Sequence, residues 1–164
     1  MTRSLTVALI AAAGLAACAV TPQPTRFAAP SGAPAPVAGY DWFLNRDGAD
    51  LMLAYGVANS DDMKLSLDCR AGSGALTISA PGETGERRIH LESGGDTERY
   101  PAQGETAHIH DGDFLTAQAK AGDPVFQRFR RLAWIAAWKG EAREVYAAHS
   151  GSEDRVERFF AGCG

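Results

Sequence analysis

A mainly β fold with two short helices, built as an antiparallel sandwich or flattened barrel, is the architecture that this sequence predicts. Three observations predict it. Apolar residues alternate with polar ones at period two through most of residues 40–164. Turn-forming clusters separate the alternating runs at short, regular intervals. Two segments near the carboxyl end switch to helical spacing.

The elements follow in chain order. Leu51, Leu53, Tyr55 and Val57 align along Asp50–Val57. In Met63–Cys69, Leu65, Leu67 and Cys69 share one face, and Lys64, Ser66 and Asp68 the other. Leu76, Ile78 and Ala80 form a third stripe and Ile89 with Leu91 a fourth. Ala107 with Ile109, and Leu115 with Ala117 and Ala119, continue the pattern. Arg46-Asp47-Gly48, Asn59-Ser60-Asp61-Asp62, Gly72-Ser73-Gly74, Pro81-Gly82, Gly94-Gly95 and Asp111-Gly112 are the intervening turns.

Asp123-Pro124 reads as an N-cap followed by proline at the first helical position. Val125, Phe129 and Leu132 then share a face, with Phe126 beside them. Trp134–Lys139 and Ala142–Ala148 form a hairpin about Gly140-Glu141. The last helix starts near Ser152, and Val156, Phe159, Phe160 and Cys163 make one stripe at i, i+3, i+4 and i+7. Trp42, Trp134 and Trp138 are expected to pin a small β core rather than present a ligand surface.

Residues 1–39 have a different character. Arg3 precedes an apolar run from Leu5 to Ala17, thirteen residues long. That is short of the roughly 20 residues a membrane span needs and fits a secretory leader. Residues 19–39 hold Pro22, Pro24, Pro30, Pro34 and Pro36, five of the chain's eight prolines. Proline lacks an N–H and fixes φ, so this stretch reads as an extended spacer reaching on the order of 60 Å. The division is therefore 1–17 leader, 18–39 tether and 40–164 a single domain.

Leu15-Ala16-Ala17-Cys18 resembles the lipobox of bacterial lipoproteins. The resemblance implies cleavage before Cys18, acylation of its thiol, and a lipid anchor that holds the protein at a membrane and facing the periplasm. Ala19, in place of the aspartate common in inner-membrane lipoproteins, leans towards the outer membrane. Residues 40–164 are similar to small exported proteobacterial domains of unknown role. The marks are Leu65-Ser66-Leu67-Asp68-Cys69, Asp123-Pro124-Val125-Phe126 and Phe159-Phe160-Ala161-Gly162-Cys163. These marks imply a fold and no activity.

Once Cys18 is acylated, Cys69 and Cys163 are the remaining cysteines, both on core-facing stripes. An oxidising compartment makes a Cys69–Cys163 disulfide the expected outcome, with two separate buried thiols as the alternative.

The chain carries 16 Lys and Arg against 20 Asp and Glu, and loss of Arg3 leaves 15. A mildly acidic exported domain is a poor nucleic-acid binder. Candidate chemistry is thin. His108 and His110, two apart on an expected strand, would face outward together, with His90, Asp111 or Asp113 as further ligands. Zinc needs three or four converging ligands, and two histidines at this spacing fall short, so a solvated strand face is the favoured reading. His149, Ser150, Ser152, Glu153 and Asp154 contain triad residue types, but no nucleophile elbow is present, and Ser150 and Ser152 suit helix caps. Arg128, Arg130 and Arg131 are candidate phosphate-binding residues or a solvated helix face. No phosphate loop or dinucleotide fingerprint occurs, and no cofactor is expected.

The reading is a non-enzymatic, membrane-anchored envelope module with a binding or structural role, either taking a ligand or an envelope protein partner or forming part of a larger envelope assembly. A metal-binding or metal-dependent hydrolytic domain using His108 and His110 is one alternative. Another is a lysozyme-inhibitor-like protein, since Ser93-Gly94 and Arg99-Tyr100 resemble, with a longer insertion, the Ser-Gly-x-x-Tyr loop of that family.

Overall fold

A computed structural model of the chain describes residues 33–107 and 111–164. Cys18, the leader, His108 and His110 lie outside the described residues.

Among the described residues, nine strands and two helices follow one another. The strands are β1 (Tyr40–Asp47), β2 (Asp50–Val57), β3 (Met63–Arg70), β4 (Ala75–Gly82), β5 (Arg88–Ser93), β6 (Asp96–Thr106), β7 (Asp113–Lys120), β8 (Trp134–Lys139) and β9 (Ala142–Ala147). Helix α1 (Pro124–Leu132) joins β7 to β8, and α2 (Glu153–Cys163) ends the chain. All neighbours pair antiparallel in the order β1-β2-β3-β4-β7-β6-β5-β8-β9. The sheet curls into a nearly closed barrel, as the alternation predicts.

The expected stripes point inward. Leu51, Leu53, Tyr55, Leu65, Leu67, Leu76, Ile78, Ile89, Leu91 and Leu115 are all buried. Gly56 permits the bulge between β2 and β3, because a Cβ there would meet the Asp62 carbonyl at 2.5 Å.

The sheet turns its corner within β6. Residues Asp96–Pro101 pair with β5, and Ala102–Thr106 pair with β7. Pro101, which has no N–H to give to a ladder, stands where the partner changes. Strands that switch partners in this way form the corners of orthogonal β packings.

The free edges, β1 and β9, are bridged by side chains. Trp42 Nε1 donates to the Tyr146 carbonyl at 3.3 Å, and the Tyr55 and Tyr146 rings lie 4.9 Å apart. Asp41 fastens the same seam to the start of α2. Its Oδ1 accepts from the Trp42 amide at 2.8 Å and the His149 amide at 3.3 Å. Its Oδ2 accepts from the Ser152 hydroxyl and from Arg155 Nη1, the latter at 3.3 Å.

Both helices close one end of the barrel. Helix α1 lies against the β5–β6 turn, where a Cβ on Gly94 (φ 57°) would strike Leu132 at 2.5 Å. Helix α2 is tied to β3 and the β3–β4 turn. Cys69 and Cys163 form a disulfide with Cα atoms 5.9 Å apart and 94 residues between them in sequence. The Gly72 amide donates to the Gly162 carbonyl at 2.9 Å and the Gly74 amide to that of Cys163 at 2.7 Å. Aromatic rings fill this end. Trp42 and Phe129 are 4.7 Å apart, Phe129 and Phe160 5.8 Å, and Phe159 and Phe160 5.2 Å.

Several expectations are corrected. Trp134 and Trp138 are not core residues. Ile135 and Ala137 take the inward face of β8, Leu91 pairs with Ala137, and Trp138 faces outward opposite His90. Trp42 is the core tryptophan. Strand β1 runs through Arg46 and Asp47, and its turn begins at Gly48. Strand β6 stops at Thr106, so Ala107 is not in a strand. Asp123 and Ser152 stand at N-cap positions, but neither side chain caps its helix. Asp123 Oδ2 instead accepts from the Lys120 amide at 3.0 Å and the Tyr100 hydroxyl at 3.1 Å.

Candidate functional site

With the helices and aromatic rings at one end, the described residues leave a cavity at the opposite end. The inward positions nearest this mouth carry small side chains, Ala80 on β4 and Ala137 on β8. Together with Ile89, Leu115 and Tyr146 they floor a cavity of about 430 Å³. Its rim is charged: Asp61 and Asp62 from the β2–β3 turn, Lys64, Lys139 and Glu144.

The rim is internally organised. Lys64 Nζ lies 2.7 Å from Asp62 Oδ1 and 5.5 Å above the Tyr40 ring. The Tyr40 hydroxyl donates to Asp62 Oδ2. These two donors, Lys64 first, hold the Asp62 carboxyl below its ordinary range. The Tyr146 hydroxyl donates to Glu144 Oε2 at 3.1 Å. Burial first, then the Glu144 charge, drives that phenol above its ordinary value. It remains a neutral donor at physiological pH. Lys139 makes no ion pair with any described residue.

Of the residues singled out in the sequence, Trp138 lines this mouth, while the described histidines, triad residue types and arginines do not converge on it. His149 Nε2 lies 3.0 Å from the Val37 carbonyl, and the Ser152 hydroxyl goes to Asp41, so the triad residue types form no relay. Glu153 Oε2 accepts from the Gly151 amide at 2.6 Å. Arg128 is drawn to Asp96 and donates to the Gly94 carbonyl at 3.1 Å, clasping α1 to the β5–β6 turn. Arg130 grips Glu157 of α2 through Nε at 2.7 Å. Arg131 is exposed. The three arginines thus gather no common anion site.

His90 faces outward as expected, stacked on Trp138. Asp113 is buried and accepts from the Gly85 amide at 3.0 Å. No group of three or more His, Cys, Asp or Glu suited to a metal occurs among the described residues. Ser93 is buried and its hydroxyl donates to the Trp134 carbonyl at 2.8 Å. Tyr100 is buried with its hydroxyl between Glu98 and Asp123. Two residues that carry the likeness to a lysozyme-inhibitor loop are thus taken up by the fold.

No family model, curated protein or solved structure matches the chain.

The mouth was missed in the sequence because its floor comes from five strands that only the pairing register brings together. One signal was available: the inward stripes of β4 and β8 carry alanine where their neighbours carry leucine or isoleucine. Chemically, an apolar floor below a polar rim can hold a small molecule with an apolar body and a polar head. Among the described residues, no nucleophile paired with a base lines it.

Proposed function

We propose that the chain is a lipid-anchored envelope protein that acts by binding, and that the open barrel mouth is where it takes its ligand. The observation that carries the reading is the roughly 430 Å³ cavity with an apolar floor and charged rim at the end of the barrel away from the helices. Barrel mouths are a recurrent location for such sites, and barrels of about eight strands have room for one small ligand. The ligand class is a small amphipathic molecule, with Lys139 as donor to its polar end.

The leader, Leu15-Ala16-Ala17-Cys18 and the proline-rich spacer support tethering through acylated Cys18 at a periplasm-facing membrane, the outer membrane favoured by Ala19. The Cys69–Cys163 bridge suits an oxidising compartment.

Two measurements test the two halves. The intact mass of chain extracted from native membranes should correspond to residues 18–164 plus acyl chains; an unmodified full-length chain in the cytosol would end the anchoring half. Titration with an anilinonaphthalene sulfonate probe should saturate at one site, and Ala137→Phe, which fills the floor, should weaken it by about tenfold or more. Unchanged binding in that variant would remove the mouth from the argument.

A further inference from the structure

The rim of the mouth carries charges of both signs, and two of them stand on inward stripes of neighbouring strands. Lys139 continues the inward stripe of Ile135 and Ala137 along β8. Glu144 stands opposite Ala137 on β9, on the same face as buried Tyr146. Lys139 is opposite Ala142, so Lys139 and Glu144 are diagonal cross-strand neighbours, an offset of about 7–8 Å. Opposite charges at that offset are within reach of each other, yet these two do not join. Glu144 takes the Tyr146 hydroxyl at 3.1 Å and no cation, and Lys139 makes no ion pair with any described residue. Both line the cavity. Glu83 rests its carboxylate against Gly140, next to Lys139 in sequence, without an ion pair to it.

The other rim charges are matched differently. Lys64 and Asp62 neutralise each other at 2.7 Å, and the Tyr40 hydroxyl takes the second Asp62 oxygen. Asp61 has no cation among the described residues. The rim therefore sets three carboxylates against two ammonium groups, and of those two Lys139 is the unmatched one.

The charge of a head group decides how well it suits such a rim. A purely anionic head reaches Lys139 but meets Glu144 and Asp61 as like charges. A purely cationic head reaches Glu144 but faces Lys139. A head that carries an ammonium and an anionic group on one short spacer meets both at once. The floor of Ala80, Ile89, Leu115 and Ala137 takes the apolar tail.

We propose, taking the mouth as the binding site, that its ligand is a single-chain amphiphile with a zwitterionic head, the anionic group on Lys139 and the ammonium on Glu144. The test uses the full chain and four probes with the same eight-carbon tail: octyl phosphate, octylammonium, octyl phosphoethanolamine and 2-aminodecanoate. The last two are zwitterions, one with a phospholipid-type head and one with an amino-acid-type head. The better zwitterion should bind tighter than either singly charged probe by about fivefold or more, and its head names the source of the ligand. Lys139→Gln should weaken that zwitterion and octyl phosphate and spare octylammonium. Glu144→Gln, which keeps an acceptor for the Tyr146 hydroxyl, should weaken the zwitterion and strengthen octyl phosphate. Unchanged thermal midpoints show that both variants fold. Ala137→Phe should weaken all four probes. If all four bind alike and Ala137→Phe weakens them, the mouth stands and the zwitterion falls. If Ala137→Phe leaves all four unchanged, the mouth falls and the proposal with it. The proposal is also overturned if a singly charged probe binds as tightly as the better zwitterion, or if either rim variant binds that zwitterion like the parent.

Discussion

Asp41 concentrates more structural consequence than any other single side chain of the barrel seam. One carboxylate accepts from two backbone amides, a buried hydroxyl and a guanidinium, and these donors belong to β1, the end of β9 and the start of α2. Removing it leaves the buried Ser152 hydroxyl without its acceptor, while Arg155 keeps the Trp42 carbonyl at 2.7 Å. Asp41→Ala is expected to lower the unfolding free energy by about 2 kcal/mol, read from the urea midpoint at unchanged slope, with Asp41→Asn losing less.

His90 offers a pH signature at the same scale. Burial first, then Arg99, pulls its imidazole below the ordinary value, with Glu92 opposing. Between the folded and unfolded values the unfolded chain binds more protons, so stability rises with pH across that window. The contribution is complete above about pH 6.5 and is lost as pH falls through the folded value. The thermal midpoint should therefore drop between pH 7 and 5 by more in the parent than in His90→Gln; equal drops would contradict the assignment. Asp62, Glu92 and Glu157, held low by Lys64, Arg143 and Arg130, act in a separate window below about pH 4.5. The carboxylate role of Asp41 was invisible in the sequence, because three of its partners, His149, Ser152 and Arg155, lie more than a hundred residues away.

Among the elements, α1 ends on a residue ill-suited to its position. Ala133 sits in the left-handed region (φ 55°, ψ 26°) and its amide closes the helix on the Phe129 carbonyl at 2.8 Å. Glycine adopts this conformation without the Cβ penalty. Ala133→Gly should raise stability by about 1 kcal/mol, measured as a higher urea midpoint. Helix α2 depends on its covalent link to β3. Cys69→Ala/Cys163→Ala should cost about 3 kcal/mol, and reductant should affect the parent but not the variant.

Helix α2 was legible because four bulky residues recur on one face: Val156, Phe159, Phe160 and Cys163 are all buried. Strand β6 was not, because its inward positions are Glu98, Tyr100, Ala102 and Gly104, and one large residue makes no alternation. Trp138 misled for the opposite reason. Its size argued for the core, whereas register gave the inward place to Ala137. Period two assigns alternate residues to opposite faces but does not say which face is buried when the smaller residue points in.

At the scale of the whole molecule, side-chain volume is distributed unevenly along the barrel axis. Tryptophan and phenylalanine crowd the helix-covered end, while alanines line the open one. Such a gradient leaves the rigid packing at one pole and a receptive space at the other. The class of fold was readable from alternation and turns. The mouth was not, because it gathers side chains from strands that are distant in sequence and brought together only through the order β4-β7-β6-β5-β8-β9.

The described chain enters through β1, a strand with a ladder partner on one flank only. A pull on the amino end would therefore load Tyr40 and Val57 first and peel β1 from β2 one rung at a time, a mode that yields at low force. Extension would halt at Cys69, because the bridge to Cys163 shunts tension directly to the carboxyl end. Roughly 100 Å of chain between residues 40 and 69 could be paid out, while the 94-residue loop beyond it stays mechanically bypassed. An attachment point of this kind works as a shock absorber, in which the first two strands and the approach to the third give way and most of the barrel carries no strain.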